Sequence, residues 1–297
     1  MRIGIVVLPL ERWSQQAQQW RRVEEYGFDH AWTYDHLLWD PLAGYPWGAT
    51  VPSLVAAAGV TTRIPLGTWV ASPNFRHPLP FARELVALDD ISGGRAVLGV
   101  GAGGTGSDAR LVGVPPLSPK DRLARFEEFL TVVDLALTGA EVRWSGRFYT
   151  VDAPAQTLPC VQRPRLPFVV AANGPRAMAL AARFGTGWAT SGRPRREDGD
   201  EAWWQEIAGL SARFSEVLES EGRDPGSLRR LLSLDSAPTF SLTSLEHLHE
   251  GVGRAAAVGF TDVVIHWPVP GAPVYAASED ILDRVAEALP ALRALGD

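Results

Sequence analysis

Eight strand-length apolar runs, each followed by a segment of helical period, predict an α/β fold: a (β/α)8 TIM barrel with loop insertions at the C-terminal face. The runs are near-continuously apolar, IGIVVL in the first, which suits parallel strands covered on both faces. The 297 residues match one such barrel, so a single domain over residues 1–297 is expected. An open doubly wound sheet is the alternative that the same alternation permits.

The first strand is placed at residues 2–8, and Ser14 caps a helix to about Tyr26 that Gly27 ends. The second strand covers residues 29–34 and leads into the polar and aromatic loop DHLLWDPLAGYPWG. Thr50 and Pro52 start a small-residue helix over 51–60, and the third strand follows at 64–71. Pro80 opens a helix to about Ile91, stopped by Gly93 and Gly94 before the fourth strand at 96–101. After that strand comes the glycine-rich loop GAGGTGSDARLVGVPPLSP, and then an amphipathic helix from Asp121 to about Leu137. Residues 139–166 read as an excursion carrying a hairpin around Ser145 and Gly146. The fifth strand, 168–172, precedes a helix that Pro175 opens and that runs through about Phe184. The sixth, 187–190, leads through SGRPRREDGDE to a helix over 202–221. The seventh strand is placed at 231–237 with Ser244 capping its helix, and the eighth at 262–267 before a last helix over 278–295.

Composition narrows the function classes. With 46% hydrophobic and 21% charged residues the chain is neither disordered nor collagen-like. No run of about 18 apolar residues exists, so no membrane helix is expected. The N-terminal apolar run is too short for a secretory signal, and a cytoplasmic protein is expected. One cysteine, Cys160, excludes an internal disulfide and a cysteine-based zinc site, and no metal cluster is seen. The net charge of −6 speaks against nucleic acid or an acidic membrane as the main partner. Eleven tryptophans fit aromatic pocket walls.

In such barrels chemistry sits where strands end. Asp35-His36 follow the second strand, Ser72-Pro73-Asn74 the third and Ala102-Gly103-Gly104 the fourth. Asn173-Gly174-Pro175-Arg176 run from the fifth strand into a helix start, where free amides and the helix dipole attract an anion such as a cofactor phosphate. Arg193, in the next loop, can add charge to that anion. His36 can shuttle a proton near neutral pH, while alternation along a strand sets Asp35 and His36 on opposite sides. His266 ends the eighth strand, pointing either into the mouth or out toward the helices; His30 reads as structural or solvated. GVGAGGTG over 99–106 lacks the following helix and the acidic strand end of a dinucleotide fingerprint, and reads as backbone passing close to a flat ligand.

The stretch LGTWVASPNFRHPLPFARELVALDDISGGRAVLGVGAG over 66–103 resembles the luciferase-like monooxygenase superfamily, barrel oxidoreductases that use FMN or the deazaflavin coenzyme F-420. GFDHAWTYDHL, AANGPRAMALAARFGTGW and GFTDVVIHW extend the resemblance over nearly the whole chain. It implies a cis peptide at Trp69-Val70 supporting the ring, Asp35 at the ring's polar edge, and Ser72 on the ring or ribityl chain. It further implies Ala102-Gly103 beside the ring, and Asn173, Gly174, Arg176 and Ala177 on the phosphate, with His36 as the proton-transfer residue. Sugar-phosphate dehydrogenases of the superfamily carry Glu where this chain has Gly104, so their sugar chemistry is not carried over. The FMN enzymes tend to an EHH-like motif where this chain has Tyr34-Asp35-His36-Leu37, which favours F-420 over FMN.

The expected activity is hydride transfer between F-420 and a largely hydrophobic substrate, met by Trp39, Trp47 and His266 and admitted by the loops 37–48, 103–119 and 192–201. The alternatives are an FMN-dependent monooxygenase using oxygen and a flavin reductase partner, a barrel that binds flavin without turnover, and an isomerase or hydrolase of a phosphorylated metabolite. Members of the superfamily are often homodimers.

Overall fold

Eight parallel strands close into a barrel in the computed structural model, which describes residues 1–104, 107–139, 141–154, 158–193 and 199–296. They are β1 (Arg2–Val6), β2 (His30–Thr33), β3 (Leu66–Thr68), β4 (Ala96–Gly101), β7 (Phe168–Ala171), β8 (Gly187–Thr190), β9 (Arg229–Ser233) and β10 (Asp262–His266), with β10 pairing back onto β1. The open-sheet alternative is thereby excluded. Helices α1 (Trp13–Tyr26), α2 (Thr50–Ala58), α3 (Pro78–Ile91), α5 (Pro119–Leu137), α6 (Pro175–Phe184), α7 (Gly199–Ser220), α8 (Leu245–Ala257) and α9 (Ile281–Ala294) follow the strands. The expected hairpin is an antiparallel pair, β5 (Val142–Ser145) with β6 (Thr150–Ala153), between α5 and β7.

The differences from the sequence reading have local causes. Ser14 lies inside α1, whose N-cap is Arg12 without a side-chain cap. The third helix starts two residues before Pro80, because Pro78 takes the first helical position and His77 caps it. β3 has three residues and rejoins β4 only through a bridge from Ala71 to Val100. β9 stops at Ser233, and residues after it turn through a short 3-10 segment, Leu234–Ser236. Contrary to expectation, a one-turn helix α4 (Ser107–Leu111) does follow the GVGAGGTG segment; Thr105 and Gly106 of that segment lie outside the described residues.

Period-two alternation fills the barrel in layers. His30, Trp32 and Tyr34 point inward from one strand, and Asp262, Val264 and His266 from another. Ile3, Ile5, Ala31, Val263 and Ile265 point outward and pack under the helices. The lowest inner layer is polar: Trp32 Nε1 donates to His30 Nδ1 at 2.6 Å, and His30 Nε2 donates to Asp262 at 3.0 Å. Gly4 leaves room for that imidazole, since a Cβ there would stand 2.0 Å from the ring. Val6, Trp32, Val169, Ala189, Leu231 and Val264 make the apolar middle, and Tyr34, Trp69 and His266 roof it.

One clamp outside the barrel has a testable pH signature. Glu24 of α1 accepts from the amides of Thr62, Arg63 and Ile64 just before β3. Burial pushes its carboxyl up, but those amides outweigh burial and hold it at about 2. A carboxyl lowered on folding contributes stability above its unfolded value, lost as pH falls. Glu24→Gln is therefore expected to flatten the stability profile between about pH 4.5 and 2 in urea denaturation series.

Candidate active site

The barrel mouth is built from the strand ends, and two regions of it carry distinct chemistry. The first is a pocket of about 410 Å³ lined by Ala102, Gly103, Gly174, Arg176 and Ala177, with Arg122 and Leu123 of α5 on the opposite wall. Five residues expected at a cofactor thus converge there. The N-cap of α6 is Gly174, which offers no side-chain acceptor, so the first-turn amides of Arg176 and Ala177 are left for a ligand to cap. A Cβ at Gly174 would have no atom within 4 Å, and that backbone is open to a ligand. Gly103 has φ +74° and rides on Asn74 so closely that a Cβ would stand 2.6 Å from the amide nitrogen.

The second region is aromatic. Trp69 packs on Trp32 at 5.0 Å between ring centroids, and the Trp69-Val70 peptide is cis, as the resemblance implied. Tyr34 is ringed edge-on by His36 at 5.8 Å and Trp39 at 5.2 Å, with Trp47 at 6.5 Å. Trp47 Nε1 is buried without a hydrogen-bond partner among the described residues. Such a donor suits a ligand acceptor.

His36 sits at the rim with 30% of its side chain exposed, and its Nδ1 lies 2.7 Å from Asp108 Oδ2. Asp108 belongs to α4 and also accepts from the Leu37 amide at 2.7 Å. Burial would raise the Asp108 carboxyl, but His36 and the amides of Leu37 and Leu38 hold it below the usual carboxylate range. An ionised Asp108 accepts only, so His36 Nδ1 carries the hydrogen, and in the neutral imidazole the lone pair is on Nε2.

Other expected residues have protein partners. Both oxygens of Asp35 are taken by Arg76, at 2.6 and 3.0 Å, and not by His36. Ser72 is buried and accepts from the Asn74 amide at 3.4 Å. Asn173 accepts from Thr190 Oγ1 at 2.6 Å and donates to the Gly192 carbonyl, tying two strand ends together. Arg193 is 68% exposed, 3.9 Å from Glu206, and does not line the pocket; residues 194–198 of its loop lie outside the described residues.

His266 points inward and is fully buried. Its Nε2 lies 2.8 Å from Tyr34 Oη and its Nδ1 2.9 Å from Asp235 Oδ2. Burial pushes the Tyr34 phenol well above its ordinary value. Sequence reasoning missed Asp108, Asp235, Tyr34, Tyr275 and Arg122. An acid directly after a hydroxyl in the Ser107-Asp108 pair was the available helix-start signal for the first. Among the described residues no group of acids, histidines and cysteines could hold a metal, and no helix is long and apolar enough to cross a membrane.

A family model described as luciferase-like monooxygenase matches residues 1–240. The chain is similar to an F-420-dependent glucose-6-phosphate dehydrogenase of Beutenbergia cavernae, 39% identical over 176 residues, 58% of this chain and 51% of the relative. It is also similar to a 4-hydroxyprotoasukamycin monooxygenase of Streptomyces nodosus subsp. asukaensis, 34% identical over 66% of this chain and 53% of the relative. The matches thus span about half the length of these curated relatives. A solved F-420-dependent secondary alcohol dehydrogenase in complex with an F-420-acetone adduct superposes with a TM-score of 0.80 at 18% identity, covering 98% of this chain and 99% of that one, a likeness of fold.

Proposed function

The chain belongs to the luciferase-like monooxygenase family, and from that premise we propose that it is one barrel domain acting as an F-420-dependent oxidoreductase on a largely hydrophobic organic substrate. The observation that carries this reading is the pocket where the uncapped amides of α6 meet Arg122 and Arg176. The residues fit a flat ring with an anionic tail. Glycine backbone at 103 and 174 allows close approach, and cationic groups and helix amides await the tail. The curated relatives named for F-420 point the same way.

Gly174, Arg176 and Ala177 would hold the tail, with Ala102, Gly103, Trp69 and Val70 along the ring. When bound, the deazaflavin supplies two-electron hydride chemistry. The protein's own part is to orient the ring and exclude water with Trp39, Trp47 and Trp69. His36 holds or hands on a proton at Nε2, with its tautomer fixed by Asp108. The rim exposure of His36 gives that proton a path to solvent. A homodimer is the assembly we propose to test alongside, and a flavin reductase partner belongs to the FMN alternative only.

Fluorescence-quenching titration with F-420 and with FMN, in both redox states, decides the cofactor. F-420 is expected to bind the more tightly, and Arg176→Ala with Arg122→Ala is expected to weaken it. Tighter FMN binding would select the monooxygenase alternative, and binding of neither would end the redox reading.

A further inference from the structure

The Asp235–His266–Tyr34 chain does not belong to the cofactor pocket and is not used by His36. It lies at the centre of the mouth. Asp235 is buried and accepts three hydrogens, from the Ser241 amide at 3.0 Å, the His266 amide at 2.6 Å and His266 Nδ1 at 2.9 Å. The carboxylate fixes the imidazole with its hydrogen on Nδ1 and its lone pair on Nε2, which accepts from the Tyr34 hydroxyl at 2.8 Å. This is the arrangement by which a hydroxyl is made a proton acceptor: an acid orients a base, and the base receives the hydroxyl proton.

The outer end of the chain is closed by the protein itself. Tyr275 Oη lies 3.0 Å from Tyr34 Oη. The Tyr275 ring is stacked between His266, at 3.9 Å and 7°, and Trp39, at 5.8 Å and 4°. Its backbone has φ +58°, the left-handed region that a bulky residue rarely occupies. A phenol thus sits in a flat slot with its oxygen on the relay.

We propose that Tyr34, His266 and Asp235 are the proton acceptor for a substrate hydroxyl, and that the substrate, an uncharged alcohol, seats its oxygen where the Tyr275 hydroxyl now stands. The proposal rests on the oxidoreductase reading above. In the step, the substrate O–H bond breaks and its proton passes to Tyr34 Oη as the Tyr34 proton passes to His266 Nε2. The carbinol hydrogen would leave with both electrons as the carbonyl bond forms, and the oxidised cofactor, held by Gly174, Arg176 and Ala177, would supply the two-electron acceptor. The imidazolium is held by Asp235. In reverse, the same groups deliver the proton to a ketone oxygen. His36 serves the rim, and the relay serves the substrate oxygen.

The first test needs no cofactor. Protein carrying Tyr275→Ala, which opens the slot, is titrated with 4-nitrophenol, whose absorption reports its ionisation. The bound probe is expected to be ionised at a pH where the free phenol is largely neutral. Adding His266→Gln, which keeps a hydrogen-bonding group but takes no proton, is expected to leave it neutral. No binding, a neutral bound probe, or equal ionisation with His266→Gln would overturn the proposal. The second test uses the F-420-loaded enzyme with cyclohexanol. Tyr34→Phe and His266→Gln are each expected to lower kcat about 100-fold with KM within about threefold. A purely structural histidine would be rescued by glutamine, and near-wild-type turnover in His266→Gln would refute the relay. Loaded wild-type enzyme that leaves cyclohexanol untouched would remove the alcohol assignment while leaving the oxidoreductase reading intact. Failure to bind F-420 would remove that reading and leave the nitrophenol result to decide the relay.

Discussion

Replacing His36 by alanine is expected to lower kcat by roughly 10²–10⁴-fold while F-420 affinity stays within about threefold. The expectation follows from what the imidazole does and does not touch. Its Nδ1 is committed to Asp108 and its ring edge meets Tyr34 and Trp47, but it is not part of the wall that would hold the cofactor tail. Loss of the ring therefore removes a proton carrier without removing a tail contact. Asp108→Asn refines the test. An amide can present its NH₂ to Nδ1, which moves the hydrogen to Nε2 and takes the lone pair away from the mouth. A loss of about 10²-fold in kcat with unchanged cofactor affinity is expected. If both variants turn over like wild type, His36 is a rim residue and the relay at Tyr34 stands alone.

The barrel was legible because its signals are local and repeat: apolar runs, Pro175 and Ser244 at helix starts, and Gly27 and Gly93 at helix stops. His36 was legible for the same reason, as a titratable group one residue past a strand. Its partner was not. Asp108 comes 72 residues later, on a one-turn helix that follows a glycine run, and only tertiary closure brings the two within reach. Asp235 was read as strand, because the apolar run LLSLD gives no sign that pairing stops at Ser233. The sequence put His266 on the same face as Asp262, and only the structure shows which face that is. The same strand places Asp262 and His266 four residues apart, hence on one face, and a buried acid facing His30 fixes that face as the inner one. The tryptophans were a weaker guide than their number suggested. Trp20, Trp32 and Trp188 are fully buried core, while Trp39 and Trp47 do stand at the mouth.

Asp262→Ala is expected to destabilise the fold by about 3–5 kcal/mol, the range for removing one partner of a buried ion pair. Asp262 is fully buried at the floor of the barrel, where His30 donates to it at 3.0 Å and Arg229 grips both its oxygens. Alanine would leave the buried His30 N–H without an acceptor and the Arg229 guanidinium without its carboxylate, and the imidazole cannot turn to water without opening the strands. The loss should reach the mouth, because His30 positions Trp32 and Trp32 carries Trp69. The pH dependence has one sign. Burial would raise the Asp262 carboxyl, but His30 and Arg229 hold it far below its ordinary value. Burial also lowers His30, more than Asp262 raises it. For both groups the unfolded chain binds protons more readily than the folded one, so stability is complete above the unfolded values and is lost as pH falls. The decline should begin near pH 6.5 with the histidine and steepen below about pH 4 with the acid. Urea denaturation from pH 8 to pH 3 checks it: wild type should lose stability on acidification, and Asp262→Ala should start lower and lose less over the acid limb. A variant within about 1 kcal/mol of wild type at pH 7 would show that the floor of the barrel relaxes around the missing charge.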